Sequence, residues 1–253
     1  EIPINYYVQP GMTNQANNSF VNMHDVLEIF EEKFGPYRWN KVGFVTVPHV
    51  FGAMEHATNV TISSAFVNGT LTYEDLLYHE LSHSWFGNLA TCANSGDMWL
   101  NEGWAKYCES IYREFHYSRE NMLSFRRNAH NTVLRYYHIQ DGGFFPLYGV
   151  PPELTYSRTV YEKGASVAHS IRGYIDDDDL FFNAITEHLN QNEFSDVHSY
   201  MFRDFLTNYT GIDFTDFFNS QVFSEGFVHY SIDSCNILQA GAEYEVTVYM
   251  KQK

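Results

Sequence analysis

His79-Glu80-Leu81-Ser82-His83, followed at Glu102 by Trp99-Leu100-Asn101-Glu102-Gly103, is the stretch on which the reading of this chain turns. On a helix, residues four apart lie about 40° apart around the axis, so both imidazoles reach one point in space. A tetrahedral zinc site needs two such nitrogens and a third ligand from elsewhere. Glu102, 19 positions after His83 and within a second helical pattern, supplies it. Two His and one Glu leave the fourth coordination position to water, the mark of a catalytic rather than a structural zinc. Glu80 follows the first ligand and turns about 100° away from it, beside the metal but outside its ligand set. There a carboxylate can take a proton from the bound water and pass it to a leaving amine. A Tyr hydroxyl is a common further support for a developing oxyanion, and among 19 tyrosines chemistry alone does not choose one. The bare pentapeptide also suits a surface helix carrying two solvated histidines. Glu102 at the right distance weighs against that.

Composition bounds the rest. The 253 residues are 44% hydrophobic, enough for one large or two small packed domains. The 21 Phe, 19 Tyr and 4 Trp point first to a ring-filled core and only second to a cleft lining. A net charge of −16 argues against nucleic-acid binding, which needs Lys and Arg. It suits solubility, and also a partner bearing a positive amino terminus. Cys92, Cys108 and Cys235 make neither a disulfide framework nor a thiolate metal site. No run approaches the length of a membrane span. The first residues, Glu1-Ile2-Pro3-Ile4, carry no initiator Met and read as the middle of a protein, so localisation stays open.

Along the chain, residues 4–8 and 42–47 read as strands, and residues 58–63 as a third. Ser19 is expected to cap a helix whose apolar face carries Phe20, Met23, Leu27, Phe30 and Phe34, ending at Gly35-Pro36. Thr72-x-x-Asp75 resembles a capping box opening the helix of His79 and His83, which runs to about Phe86. Residues 97–115 read as the helix of Glu102. Residues 118–137 form another, with Met122, Phe125, Ala129, Val133 and Tyr136 on one face. A Gly- and Pro-rich loop spans 142–155, and helices resume near Thr159 and continue to about Phe223. The run Asp176 to Asp179 reads as a helix amino terminus rather than a calcium loop. Asp97 is a helix-start residue, or else a partner that orients a ligand His. Trp85 and Phe86 read as core. His49, His116, His130 and His138 share no ligand spacing. Residues 244–250 alternate as a strand with no partner nearby in sequence.

The motifs together resemble the zinc aminopeptidase family, which includes the membrane alanyl aminopeptidases and leukotriene-hydrolase. Carrying the likeness are His79 to Leu89, Trp99 to Gly103, Gly52-Ala53-Met54-Glu55 and Tyr161-Glu162-Lys163-Gly164-Ala165. The resemblance implies one Zn2+ ion on His79, His83 and Glu102, with Glu80 as general base and Tyr161 on the oxyanion. It implies that Glu55 holds the free amino group of a peptide. Gly52, Ala53, Met54 and position 56 complete the substrate-binding motif, with backbone pairing to the peptide at Gly52 and Ala53. Position 56, Asn in most of the family, is His56 here. His also donates a hydrogen bond, so the change is either neutral or alters amine recognition.

The implied fold is an α+β, thermolysin-like catalytic domain with a small mixed sheet beside a mostly helical lobe. It covers residues 1–232, with the sheet in 1–71 and the helices in 72–232. Residues 233–253 are then a linker and the first strand of a following β-domain that is missing. The implied activity is removal of amino-terminal residues from peptides. An endopeptidase on the same scaffold is the rival enzyme, and Glu55 argues against it. A non-catalytic binding domain is the rival of another class, yet every ligand and the base are present.

Overall fold

The computed structural model describes residues 2–48, 52–227 and 230–252, so His49 lies outside the described residues. A four-stranded sheet lies within the first 63 residues: β1 (Ile4–Tyr7), β2 (Val42–Val47), β3 (Ala53–Met54) and β4 (Val60–Ser63), in the spatial order β1-β2-β4-β3. β1 and β4 flank β2 in parallel, with Ile4 opposite Val42 and Phe44 opposite Val60. β3 runs antiparallel to β4 with Ala53 opposite Ile62, which makes the sheet mixed and leaves β3 as an edge.

Two helices fill the crossover from β1 to β2, α1 (Thr13–Ser19) and α2 (Met23–Phe34). α2 buries Met23, Val26, Leu27, Phe30 and Phe34, the three-and-four spacing read from the sequence. Ser19 is not its cap: it closes α1, where its hydroxyl accepts from Gly69 N–H (3.0 Å) and donates to Thr70 O (3.3 Å). The chain bends between the helices because Phe20 leaves the periodic face to stack on Tyr6 of β1 (4.2 Å). Gly35, at φ 86°, ends α2 with a backbone turn that suits glycine.

The helical lobe begins with α3 (Glu74–Ser82), β5 (Ala90–Cys92) and α4 (Glu102–Tyr112). It continues through α5 (Arg119–Arg135), α6 (Tyr137–Gln140), α7 (Gly164–Ile175) and α8 (Asp178–Gln191). β6 (Ser195–Val197), α9 (Ser199–Thr210) and α10 (Thr215–Gln221) complete it. β5 and β6 pair in parallel, Ala90 opposite Ser195, a small second sheet not anticipated from the sequence.

Several boundaries move. The capping box at Thr72 does not form. Thr72 instead bonds Thr70 Oγ1 through its own hydroxyl (2.8 Å), and α3 starts at Glu74 without a side-chain cap. α3 ends at Ser82, not Phe86. The expected helix 97–115 is three pieces: a 3-10 turn (Ser95–Leu100), α4, and a π-helical turn (Arg113–Tyr117). On α5, Tyr136 is exposed and Tyr137 is buried in its place, because the helix breaks between α5 and α6. Asp97 is fully buried and accepts from both the backbone N–H and the hydroxyl of Ser199, anchoring α9 rather than any histidine. Asp177 caps α8 through Leu180 N–H, as the helix-terminus reading of that acidic run requires.

Where the sequence suggests a linker ahead of the strand at 244–250, the chain forms a second strand. β7 (Tyr230–Ala240) and β8 (Glu243–Gln252) form an antiparallel hairpin with Ala240 opposite Glu243 and a bulge between Ile232 and Ser234. The strand at 244–250 therefore has its partner directly before it. Among the described residues, no helix is long and apolar enough to cross a membrane.

Candidate active site

α3 carries His79 and Glu80, and the helix lets go just before His83. His83 still holds helical backbone angles (φ −58°, ψ −18°), and its N–H donates to His79 O. The two rings thus stay on one face. Glu102 is the first residue of α4, which packs against α3. Its Oε2 lies 3.2 Å from His79 Nε2 and 3.3 Å from His83 Nε2. One donor atom from each of the three falls within 4.8 Å of the others, and all three residues are buried.

The far nitrogens are engaged as a metal site requires. His79 Nδ1 meets Glu109 Oε1 at 3.2 Å, and His83 Nδ1 meets Phe86 O at 2.9 Å. Each contact directs Nδ1–H outward and Nε2 inward. Glu109 in turn accepts from Lys106 Nζ (2.7 Å). Glu80 is buried too, and its Oε2 has no hydrogen-bond partner. An orphaned buried carboxylate oxygen beside three convergent donors fits a site built around an ion and its water. The nitrogen and oxygen donor set suits zinc.

The electrostatics of this cluster are those of donors awaiting a cation. Burial alone would lower the His79 imidazole, but its contacts with Glu102 and Glu109 prevail and raise it to about 10. His83 rises as well, against the same burial, through Glu102. Burial would raise Glu102, yet the two histidines hold it well below the ordinary carboxylate range. Burial pushes Glu80 up.

A cleft of about 610 Å³ opens on these residues. One wall is Gly52, Ala53, Met54 and Glu55, the edge strand β3 and its flanks. Glu55, Glu80 and His83 also bring one donor atom each within 4.8 Å of one another. Asn88, just after the turn that closes α3, donates to Glu55 O (2.8 Å) and ties this wall to the histidine helix. Tyr161 also lines the cleft and lies stacked beside the His79 ring (5.9 Å between centroids, 18°). Burial, then its proximity to Glu102, raises the Tyr161 phenol far above its ordinary value. Trp85 and Phe86 belong to the core, Trp85 donating to Gly35 O and Phe86 stacked on Trp104.

Of the residues expected here from the sequence, His56 alone is not brought to the cleft. It is exposed, and its Nδ1 pairs with Thr61 Oγ1 of β4 at 3.3 Å, because the chain turns back after Glu55 to enter β4. Glu109, Lys106, Tyr156 and Arg158 line the cleft and were not anticipated. Glu109 had a readable signal: it lies seven positions after Glu102, two turns along the same helix face.

Comparison with known proteins agrees with this geometry. The profile described as Peptidase family M1 domain matches residues 19–221. Aminopeptidase B of Homo sapiens is 28% identical over 214 residues, covering 80% of this chain and 33% of that protein. Leucine aminopeptidase 2 of Eremothecium gossypii is 36% identical over 108 residues, 42% of this chain and 17% of that protein. The chain thus spans about a third or less of the length of these relatives. Among solved structures, leukotriene A4 hydrolase from Saccharomyces cerevisiae superposes with a TM-score of 0.74 at 19% identity, covering 88% of this chain and 38% of that one. The M1 zinc metallopeptidase from Deinococcus radiodurans gives 0.69 at 22% identity, covering 82% and 44%. Both likenesses show the α+β fold, and the profile match across most of the chain carries the assignment: the chain belongs to peptidase family M1.

Proposed function

We infer that this chain is the catalytic domain of a zinc-dependent aminopeptidase that removes the first residue of peptides with a free amino terminus. One observation carries the reading. The Glu55 carboxylate lies within 4.8 Å of Glu80 and His83. In a peptide the first nitrogen and the first carbonyl carbon are only about 2.5 Å apart. A carboxylate this near the base leaves room for one residue before the scissile bond. A longer amino-terminal extension meets Glu55, which disfavours an endopeptidase.

His79, His83 and Glu102 would hold the ion, with Glu109 and Phe86 O fixing the two rings. A bound zinc supplies a Lewis acid and lowers the pKa of its water toward 7. Glu55 pairs with the substrate ammonium. The free edge of β3 at Gly52 and Ala53 pairs with the peptide backbone as an added strand. Glu80 takes the proton of the attacking water on its free Oε2 and returns it to the leaving amine nitrogen. The Tyr161 hydroxyl, neutral because its phenol is raised, donates to the oxygen that turns negative at the scissile carbonyl.

Aminoacyl chromogenic substrates with free and acetylated amines test the assignment. The wild-type chain is expected to cleave only the free-amine series. Glu55→Ala is expected to raise KM for that series while leaving zinc content unchanged. Cleavage of acetylated substrates by the wild type, or an unchanged KM in the variant, removes the amine-anchoring role.

A further inference from the structure

Tyr161 sits in a π-helical turn, Thr159–Lys163, which runs directly into α7. Such turns are rare and frequent at functional sites, so what holds this one bears on Tyr161. Two opposite charges grip its ends. At its start, the Asp141 carboxylate accepts from Arg158 N–H (3.1 Å), Thr159 N–H (2.7 Å) and the Thr159 hydroxyl (2.7 Å). At its end, Lys163 is only 2% exposed, and its ammonium donates to two backbone carbonyls, Phe145 O (3.1 Å) and Ser224 O (3.2 Å). No carboxylate lies within ion-pairing distance of Lys163 among the described residues. Burying an ammonium on which Glu225 acts only from beyond that distance is costly, and a packed apolar side chain would fill the place at less cost. Burial lowers Lys163 to about 8, which records that cost. The same short loop contributes Asp141 and Phe145, so one segment grips the turn at both ends.

We propose that Asp141 and Lys163 are positioning residues that clamp the π-helical turn and so hold the Tyr161 hydroxyl over the cleft. The proposal rests on the role given to Tyr161 above. Lys163 also fastens Ser224, just ahead of β7, to this turn. The clamp therefore links the approach to the hairpin with the catalytic wall. Neither residue is among those lining the cleft, and their hydrogen bonds go to none of the metal donors.

The test combines Lys163→Met, Asp141→Asn and a Lys163→Arg control, each alone and in a Tyr161→Phe background, in the zinc-loaded chain. Lys163→Met and Asp141→Asn are expected to lower kcat about tenfold or more, the scale of a misplaced catalytic group. KM and zinc content should stay within about twofold. Lys163→Arg, able to serve two carbonyls, should retain most of the turnover. In the Tyr161→Phe background neither clamp substitution should lower kcat further. Amide hydrogen exchange, read by mass spectrometry, should quicken across residues 157–166 and leave α3 unchanged. A fall in kcat of the same factor in the Tyr161→Phe background overturns the proposal, as does unchanged exchange across 157–166. If Lys163→Met does not fold, Asp141→Asn decides by the same readings. If Tyr161→Phe alone leaves turnover intact, the role of Tyr161 has failed. Exchange then decides the clamp by itself: faster exchange at 157–166 sustains it and unchanged exchange overturns it.

Discussion

Glu80 Oε2 is the residue-scale feature from which the chemistry is argued. A buried oxygen left without a partner costs about 1–3 kcal/mol, and this one lies beside the three convergent donors, where a water to be deprotonated would sit. Glu80→Gln preserves its shape and removes its basicity. We expect zinc content and unfolding temperature close to wild type, and hydrolysis of free-amine substrates reduced roughly a thousandfold. Metal analysis beside steady-state rates checks this; an active variant that holds zinc assigns the base elsewhere. At this scale much was legible in the sequence. His79, His83 and Glu80 follow from helical spacing, because a helix translates sequence distance directly into geometry, and Glu102 reads as the third ligand from its place 19 positions on in a second helical pattern. Glu55 and Tyr161 came only from family resemblance, since their approach to the histidines crosses between elements. Asp141 was invisible for the same reason: 18 residues separate it from Thr159, and no periodicity connects them. His56, the next residue of the motif, faces Thr61 rather than the cleft, because a motif fixes neighbours in sequence while β3 and β4 turn the chain back.

Among the elements, the contact between α4 and the π-helical turn decides how Glu102 meets Tyr161. Gly103 follows Glu102, and Gly164 closes the turn, and their backbones touch. A Cβ on Gly103 would lie 2.9 Å from Gly164 Cα and 3.1 Å from both Gly164 C and Val160 O. These are backbone atoms, so neither side can give way without moving a whole helix. Gly103→Ala is expected to cost about 1–3 kcal/mol in denaturant unfolding. It is also expected to weaken zinc retention against a chelator, because Glu102 moves with its neighbour. An alanine variant as stable and as metal-retentive as wild type would show that the two helices have slack. Element reading from the sequence succeeded where one apolar face is long, as in α2 and α5. It failed at the Thr72 cap, where Thr70 captures the hydroxyl. It failed also at β7, whose Ser231, Asp233, Ser234 and Asn236 look like loop residues. Exposure along almost all of β7 removes the apolar alternation by which a half-buried strand is recognised, an alternation that its partner β8 does carry.

At the scale of the whole molecule, folding, protonation and metal binding are linked through His79. In the metal-free chain Glu102 and Glu109 raise this imidazole to about 10 against the pull of burial, whereas an unfolded His titrates near 6.5. A raised folded-state value means that the proton stabilises the fold. That contribution is complete below about pH 6.5 and is lost as pH climbs through 10. The zinc-loaded chain needs neutral His79, so loading displaces the proton that the apo cluster holds. Two outcomes follow from the sign. Titrating zinc into apo protein at pH 7 should release about one proton per ion or more, since His83 is raised too. Calorimetry in buffers of differing ionisation enthalpy reads this directly. The rise in unfolding temperature on adding zinc should grow from pH 6.5 toward 10, because the apo form weakens while the loaded form keeps its donors neutral. A zinc-induced rise that is flat across this range, with no proton released, would mean that the three donors do not share one site. The acid carboxylates, the two rings and the ion would then have to be assigned to separate parts of the cleft.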